Sequence, residues 1–197
     1  MPYLEQIVDC INKELDSSLK NFGYQKTNLF GIAERYPAET PEQGKTVTIR
    51  PFVFDNNGDA VPVEFDEVLD LQAYHRVLSA VYSDDNSITS GRKVVRQCIT
   101  DMLMIVSVNR KTTQRTPSFF EAFLESAFPS SLSKELMESQ RLVKLKIQLS
   151  SSTLDQNQVF LTEYSGIPFF IKPGIGYFSI RYKITTSFIT GCFAQCK

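Results

Sequence analysis

The sequence predicts an α+β fold: a mostly antiparallel sheet, with an N-terminal helix and a Phe-rich helix packed on it, and a projecting β-hairpin. Three observations carry that expectation. Apolar residues recur at helical spacing over residues 3–22 and again over 118–128. Residues 141–150 and 176–185 alternate apolar and polar side chains, the period of a half-buried strand. Asp55-Asn56-Asn57-Gly58 separates two runs rich in Val and Phe, and Asn and Gly tolerate the positive φ of a tight hairpin turn. The order is helix, several strands, helix, strand, short helix, strand, which is an α+β layout. The 197 residues are expected to form a single domain, 1–197, with the hairpin inserted at about 45–65.

The first helix, 3–22, presents Leu4, Ile7, Val8, Ile11, Leu15, Leu19 and Phe22 to the core. Glu5, Asp9, Asn12, Lys13 and Asp16 form its wet side. Gly23 is placed to take the left-handed C-cap conformation. Residues 29–36 are a weak strand, and 37–44 a loop by their prolines and glycine. In the 45–65 hairpin, Pro51 and Pro62 each remove a ladder donor, so the hairpin belongs at a sheet edge or projects from the body. Residues 66–83 fit a helix through Val68, Leu71, His75, Leu78 and Tyr82, but strand is favoured for 72–82. A polar loop follows, "SDDNSITSGRK". Residues 94–109 are a strand whose centre, Met102 to Val108, is nearly continuous apolar. Such a run suits a strand covered on both faces.

A basic connector, "NRKTTQR" at 109–115, leads into the second helix. Ser118 as N-cap and Glu121 three residues on fit a capping box, and Pro129 ends the helix. Phe119, Phe120, Phe123, Leu124, Ala127 and Phe128 form its apolar stripe, so Phe123→Ala is expected to be severe. In the next strand Val143, Leu145, Ile147 and Leu149 oppose Lys144, Lys146 and Gln148. In the last, Phe178, Ile180, Tyr182 and Ile184 oppose Ser179, Arg181 and Lys183. If these strands pair, Lys144, Lys146, Arg181 and Lys183 crowd one surface unless acids relieve them. Between them, a short helix is expected at 154–163, ended by Gly166, then a Pro- and Gly-rich loop; the tail "SFITGCFAQCK" extends the last strand.

Composition narrows the function classes. Net charge is −1, with 21 Lys and Arg against 22 Asp and Glu. A dedicated nucleic-acid binder carries a basic excess, so only a local patch is left for such contact. No apolar run reaches the ~20 residues of a membrane span. "MPYLEQIVDC" is acidic and amphipathic, unlike a signal peptide, so a soluble, cytoplasm-made protein is expected. Cys10, Cys98, Cys192 and Cys196 are too few for a disulfide scaffold, and Cys192 and Cys196 with a single histidine do not make a metal site.

Catalysis has few candidates. His75 is the sole histidine, so any Ser-His or Cys-His scheme runs through it, with Cys98 or Asp70 as the nearest partners to consider. No strained Gly-x-Ser-x-Gly turn is present. The carboxylate pairs Asp66/Glu67, Asp84/Asp85 and Glu121/Glu125 read as solvated, and "PGIGYF" lacks the flanks of a phosphate loop. No enzyme activity, cofactor or metal is expected. The 109–115 segment reads as a plain connector, a weak nucleic-acid contact or a docking loop for acids on a neighbour.

The segments "TDMLMIVSVNRK", "LDQNQVFLTEYSG" and "GYFSIRYKITTSF", with the order of elements, carry a resemblance that spans most of the chain. The chain resembles the tail-terminator family of tailed bacteriophages and the neck ring proteins of crAss-like phages. The resemblance implies a tail-terminator-like domain without enzymatic activity, in a virion ring around the DNA channel. Such a ring joins portal or adaptor to tail and lets DNA slide through its lumen without specific binding. The chain is longer than the smallest terminators at 37–66 and 83–97.

A head-to-tail ring needs two different, complementary surfaces on each copy. The expected contact residues are Arg50, Phe52 and Phe54 of the hairpin; Asn109, Arg110, Lys111 and Arg115 of the connector; Asp84 and Asp85; and Lys144, Lys146, Arg181 and Lys183. The alternative is a soluble adaptor module that binds one protein through the 45–65 hairpin.

Overall fold

The computed structural model describes residues 2–37, 49–55, 57–63, 66–84, 95–130, 132, 137–138, 142–154, 159 and 173–189. The elements are α1 (Pro2–Asn21), β1 (Thr27–Ile32), β2 (Glu34–Pro37), β3 (Ile49–Phe54), β4 (Ala60–Pro62), β5 (Leu71–Asp84), β6 (Val95–Asn109), α2 (Arg110–Thr113), α3 (Pro117–Ala127), β7 (Leu142–Thr153) and β8 (Ile175–Ile189). Five strands form one sheet in the order β1-β5-β6-β8-β7, and three form a second in the order β2-β3-β4. The fold is α+β, and among the described residues every strand pair is antiparallel except β1 with β5. A parallel pair needs a crossover, and residues 33–70, which include the small sheet, supply it.

One face of the large sheet carries the main core. Leu4, Ile7, Val8, Ile11, Leu15 and Leu19 of α1 are all buried there, as their spacing predicts. So are Phe120, Leu124 and Phe128 from α3 and its C-terminal end, packed with Met102, Met104, Val106 and Val108 of β6. On the other face Leu103 and Ile105 join Ala33, Tyr74 and Val159, with Val53 and Val63 packed against them. The centre of β6 is thus covered on both sides, as its unbroken apolar run predicts. β5 is a strand, extending the expected 72–82 by one residue at one end and two at the other.

The close of α1 follows from Gly23. Its φ is 104°, and the turn holds two crossed bonds: Tyr24 N donates to Leu19 O and Gly23 N to Lys20 O, each at 3.0 Å. That pair of bonds is a Schellman close. Phe22, expected in the buried stripe, sits outside it and is 55% exposed, because it occupies the C-cap position; its ring rests on Phe123, 5.0 Å away. Asp16 ties the end of α1 to β1. Burial pushes its carboxyl up, but hydrogen bonds from Lys20 Nζ and Thr27 Oγ1 outweigh that and hold it below its ordinary range.

Several expectations need correction. Residues 29–36 are not one strand: Ala33 N donates to His75 O at 2.7 Å, and the chain then leaves the large sheet for the small one. The hairpin is part of a three-stranded sheet, and its base packs on the body, with Phe52 buried. Its edge strand β4, exposed throughout, and its turn stand out, the turn closed by Asp55, whose Oδ1 accepts from Asn57 N and Asp59 N at 2.8 and 2.9 Å.

The capping box does not form. Thr116 is the N-cap, and Pro117, with φ preset for a first helical turn, starts α3 two residues earlier than expected. Ser118 Oγ instead pairs with Thr116 Oγ1 at 2.9 Å. In α3, Phe120 is fully buried while Phe123 is half-buried, so Phe120 is the anchor. Val143 is exposed because the register shift between Leu142 and Lys144 takes it out of the alternation, whereas Leu149, exposed as well, keeps its register opposite Tyr182.

The expected loops at 37–44 and 83–93 lie almost wholly outside the described residues. So do the first residues of the hairpin (45–48), most of the short helix at 154–163, the loop and glycine after it, and the tail from 190 with Cys192 and Cys196.

Candidate functional site

His75 lies on β5 and faces the main core with no exposure. Asn12 of α1 donates from Nδ2 to Phe30 O at 2.9 Å and to Leu29 O at 3.3 Å. Its Oδ1 therefore faces His75 Nε2, 2.8 Å away, and must accept, so Nε2 carries the hydrogen. Nδ1 then accepts from the Tyr182 hydroxyl at 2.7 Å. Both nitrogens of the neutral imidazole are thereby used, one by Asn12 and one by Tyr182. Burial pushes the His75 pKa down to about 3 and the Tyr182 hydroxyl up. Cys98 is buried beside Thr100, Sγ 3.5 Å from Oγ1, and has no bond to His75. The arrangement fixes α1, β1, β5 and β8 to one another, and it offers no base to solvent.

The second face of the large sheet is the notable surface. The small sheet covers the end near Tyr74, Leu103 and Ile105. Beyond it the register places Lys146, Thr185, Ile99 and Val81 in one row across β7, β8, β6 and β5. Val81 is 61% exposed and Ile99 36%, an apolar pair at the β5 side. The neighbouring rows hold Gln148, Lys183, Asp101 and Ser79, and Lys144, Ser187, Gln97 and Ser83. This half of the face is therefore apolar at one margin and cationic at the other.

Pairing of β7 with β8 does bring Lys144, Lys146, Arg181 and Lys183 to this surface, yet none stands directly opposite another. Lys146 faces Thr185, Lys144 faces Ser187, and Lys183 faces Gln148. Arg181 is held by Asp101, with Nε 3.2 Å from Oδ1 and Nη2 on Oδ2, so the acid comes from β6 of the same chain. Lys144, Lys146 and Lys183 are exposed and have no ion pair among the described residues.

The other expected contact residues are distributed. Phe54 is 52% exposed at the hairpin end and meets buried Phe52 edge-on at 5.3 Å. The side chain of Arg50 and all of Asp85 fall outside the described residues. Asp84 is exposed, with Arg96 Nε 3.7 Å away. Asn109 is buried and works as a cap. Its Oδ1 accepts from Lys111 N at 3.0 Å, and its Nδ2 donates to Glu67 O at 2.8 Å. That correction follows from α2, a single helical turn within the expected connector. Arg110 and Lys111 are exposed, and the Arg115 guanidinium lies over the Phe119 ring at 5.0 Å. A hollow of about 140 Å³ beside α2 is lined by Glu67, Asn109, Lys111, Thr112, Pro173 and Ile175. That is well short of the roughly 300–1,000 Å³ of ordinary ligand pockets.

Residue-type reasoning missed Val81, Ile99, Asp101, Asn12 and Tyr182 as partners. For the strand residues the signal was parity across β5, β6 and β8, which needs the register to be known; for Asn12 it was the docking of α1 on the sheet. Among the described residues no group of three or more His, Cys, Asp and Glu side chains is placed to hold a metal, and no helix is long and apolar enough to cross a membrane. Comparison with protein-family models and with curated proteins finds no match to this chain.

Proposed function

We propose that this protein is a structural subunit of the head-to-tail connector of a tailed bacteriophage, built into a ring around the DNA channel. The half-covered second face of the large sheet carries the reading. Val81 and Ile99 lie open there beside Lys144, Lys146 and Lys183. A pair of exposed apolar side chains beside a row of free lysines suits a surface that another molecule covers. The resemblance of the β6 and β8 segments to tail-terminator and neck ring proteins names the kind of assembly. Its neighbours are other copies and the portal, adaptor or tail rings above and below, and DNA passes without specific binding.

The position of His75 supports an assembly role without chemistry, since both its ring nitrogens are engaged inside the core. Electron microscopy of the purified chain, alone and mixed with neighbouring neck components, tests the proposal. Annuli of uniform diameter are the expected result, and particles no larger than one chain in every mixture contradict it. An adaptor that binds one protein through the hairpin would instead form a single binary complex.

A further inference from the structure

Charge is unevenly placed in this chain. The whole protein is balanced, with 21 Lys and Arg against 22 Asp and Glu. Strands β5 to β8 are not: they hold Arg76, Arg96, Lys144, Lys146, Arg181 and Lys183 against only Asp84 and Asp101. Four of these cations form a stripe on the second sheet face. Successive same-face rows across β7 and β8 pair Lys144 with Ser187, Lys146 with Thr185, Gln148 with Lys183, and Ser151 with Arg181. Each row therefore carries one cation, and neighbouring rows lie about 7 Å apart. Asp101 is the one carboxylate that these four strands place on this face. It stands opposite Lys183 but gives its oxygens to Arg181. Lys144, Lys146 and Lys183 are left exposed.

The stripe is straight and lies on a flat sheet face. Its ammonium groups sit on long exposed side chains, not around one buried point, so it suits a row of negative charges and not a single small anion. From this we infer that Lys144, Lys146 and Lys183 lie along the phosphate backbone of double-stranded DNA and hold it without sequence preference. Lysine on phosphate carries no base information. The four rows hold no aromatic ring on this face, so the bases of a single strand would find nothing to stack on. An acidic protein is the poorer occupant: lysine is depleted at protein interfaces, and the one arginine fork of the stripe is spent on Asp101. Val81 and Ile99, on β5 and β6, take no part in the contact. The inference needs only a single chain in solution, so it stands apart from the ring reading.

Fluorescence anisotropy of the full chain with a short labelled duplex of arbitrary sequence, read between about 50 and 200 mM salt, tests this. Three neutralised phosphates predict that log K falls against log salt with a slope of about −2.7 per bound chain. Lys144→Gln, Lys146→Gln and Lys183→Gln should each make the slope shallower by about 0.9, and the triple variant should lose binding. The lysines are exposed, so these variants should melt close to the parent. Asp101→Asn releases Arg181 and should steepen the slope by about 0.9. Glu121→Gln on α3 changes the net charge equally and should leave the slope as it was, and so should Lys13→Gln on α1, which packs on the opposite face. A parent that binds no duplex even at the lowest salt, or a triple variant that binds as the parent does, overturns the inference and leaves the ring reading standing. Tighter binding of a single strand of the same length, or of polyglutamate, lost in the triple variant, assigns the stripe to another polyanion and also overturns it.

Discussion

Tyr182 donates its hydroxyl hydrogen to Nδ1 of His75, 2.7 Å away, with neither residue exposed. The bond links β8 to β5 across β6, and Asn12 extends it to α1 and the carbonyls of β1. A satisfied buried network of this kind specifies one docking of helix on sheet. Removing a member leaves its partner buried and unsatisfied, so Tyr182→Phe should cost about 1–3 kcal/mol in urea unfolding. His75→Ala should cost more, about 3–5 kcal/mol, since it adds a cavity and strands both Asn12 Oδ1 and the Tyr182 hydroxyl.

The same histidine makes stability depend on pH. Its folded pKa is pushed down to about 3 by burial, against an ordinary value of 6.5. Between those values the unfolded chain binds the extra proton and the folded chain does not. The stability is therefore fully present above pH 6.5 and is lost as pH falls, at about 1.4 kcal/mol per unit from this group. Urea midpoints measured at pH 7.5 and 5.0 should fall accordingly in the parent. In a His75→Gln variant the His75 contribution to that fall should be gone.

Phe120 and Phe123 should separate clearly. Phe120 is fully buried against Tyr24, ring centroids 4.8 Å apart, and Phe120→Ala should cost about 3–5 kcal/mol. Phe123 is half-buried against Phe22, so Phe123→Ala should cost about 1–2 kcal/mol, as burial of part of a side chain implies. Thermal melting of the two variants side by side measures the difference.

Gly176 is needed for a reason of space. A Cβ there would stand 2.2 Å from Pro117 Cγ, where α3 begins against β8. Gly176→Ala should therefore destabilise by about 1–3 kcal/mol through overpacking. Combining it with Pro117→Ala should recover part of the loss, a coupling a double-mutant cycle reads directly.

Much of the fold was legible because the period of apolar residues was unambiguous in α1, β6 and β8. β5 was harder, since Val68, Leu71, His75, Leu78 and Tyr82 satisfy a helix as well as a strand. Long-range pairing with β6 decides it. The α3 start was misplaced because Ser118 and Glu121 match a capping box, while Pro117 begins the helix two residues earlier. The apolar margin of Val81 and Ile99 was not legible at all. Each is an ordinary strand residue until a register shift between Val77 and Ser79 turns Val81 to the open face beside Ile99. Of the four cations expected together, Arg181 is neutralised by Asp101, a contact visible only once β6 lies beside β8.

Native mass spectrometry of the purified full chain, with and without neighbouring neck components, bears most directly on the central claim. One dominant closed assembly, at a fixed whole-number multiple of the 22.4 kDa subunit, is the result this account predicts. A subunit that stays at 22.4 kDa at every concentration and in every mixture would contradict it.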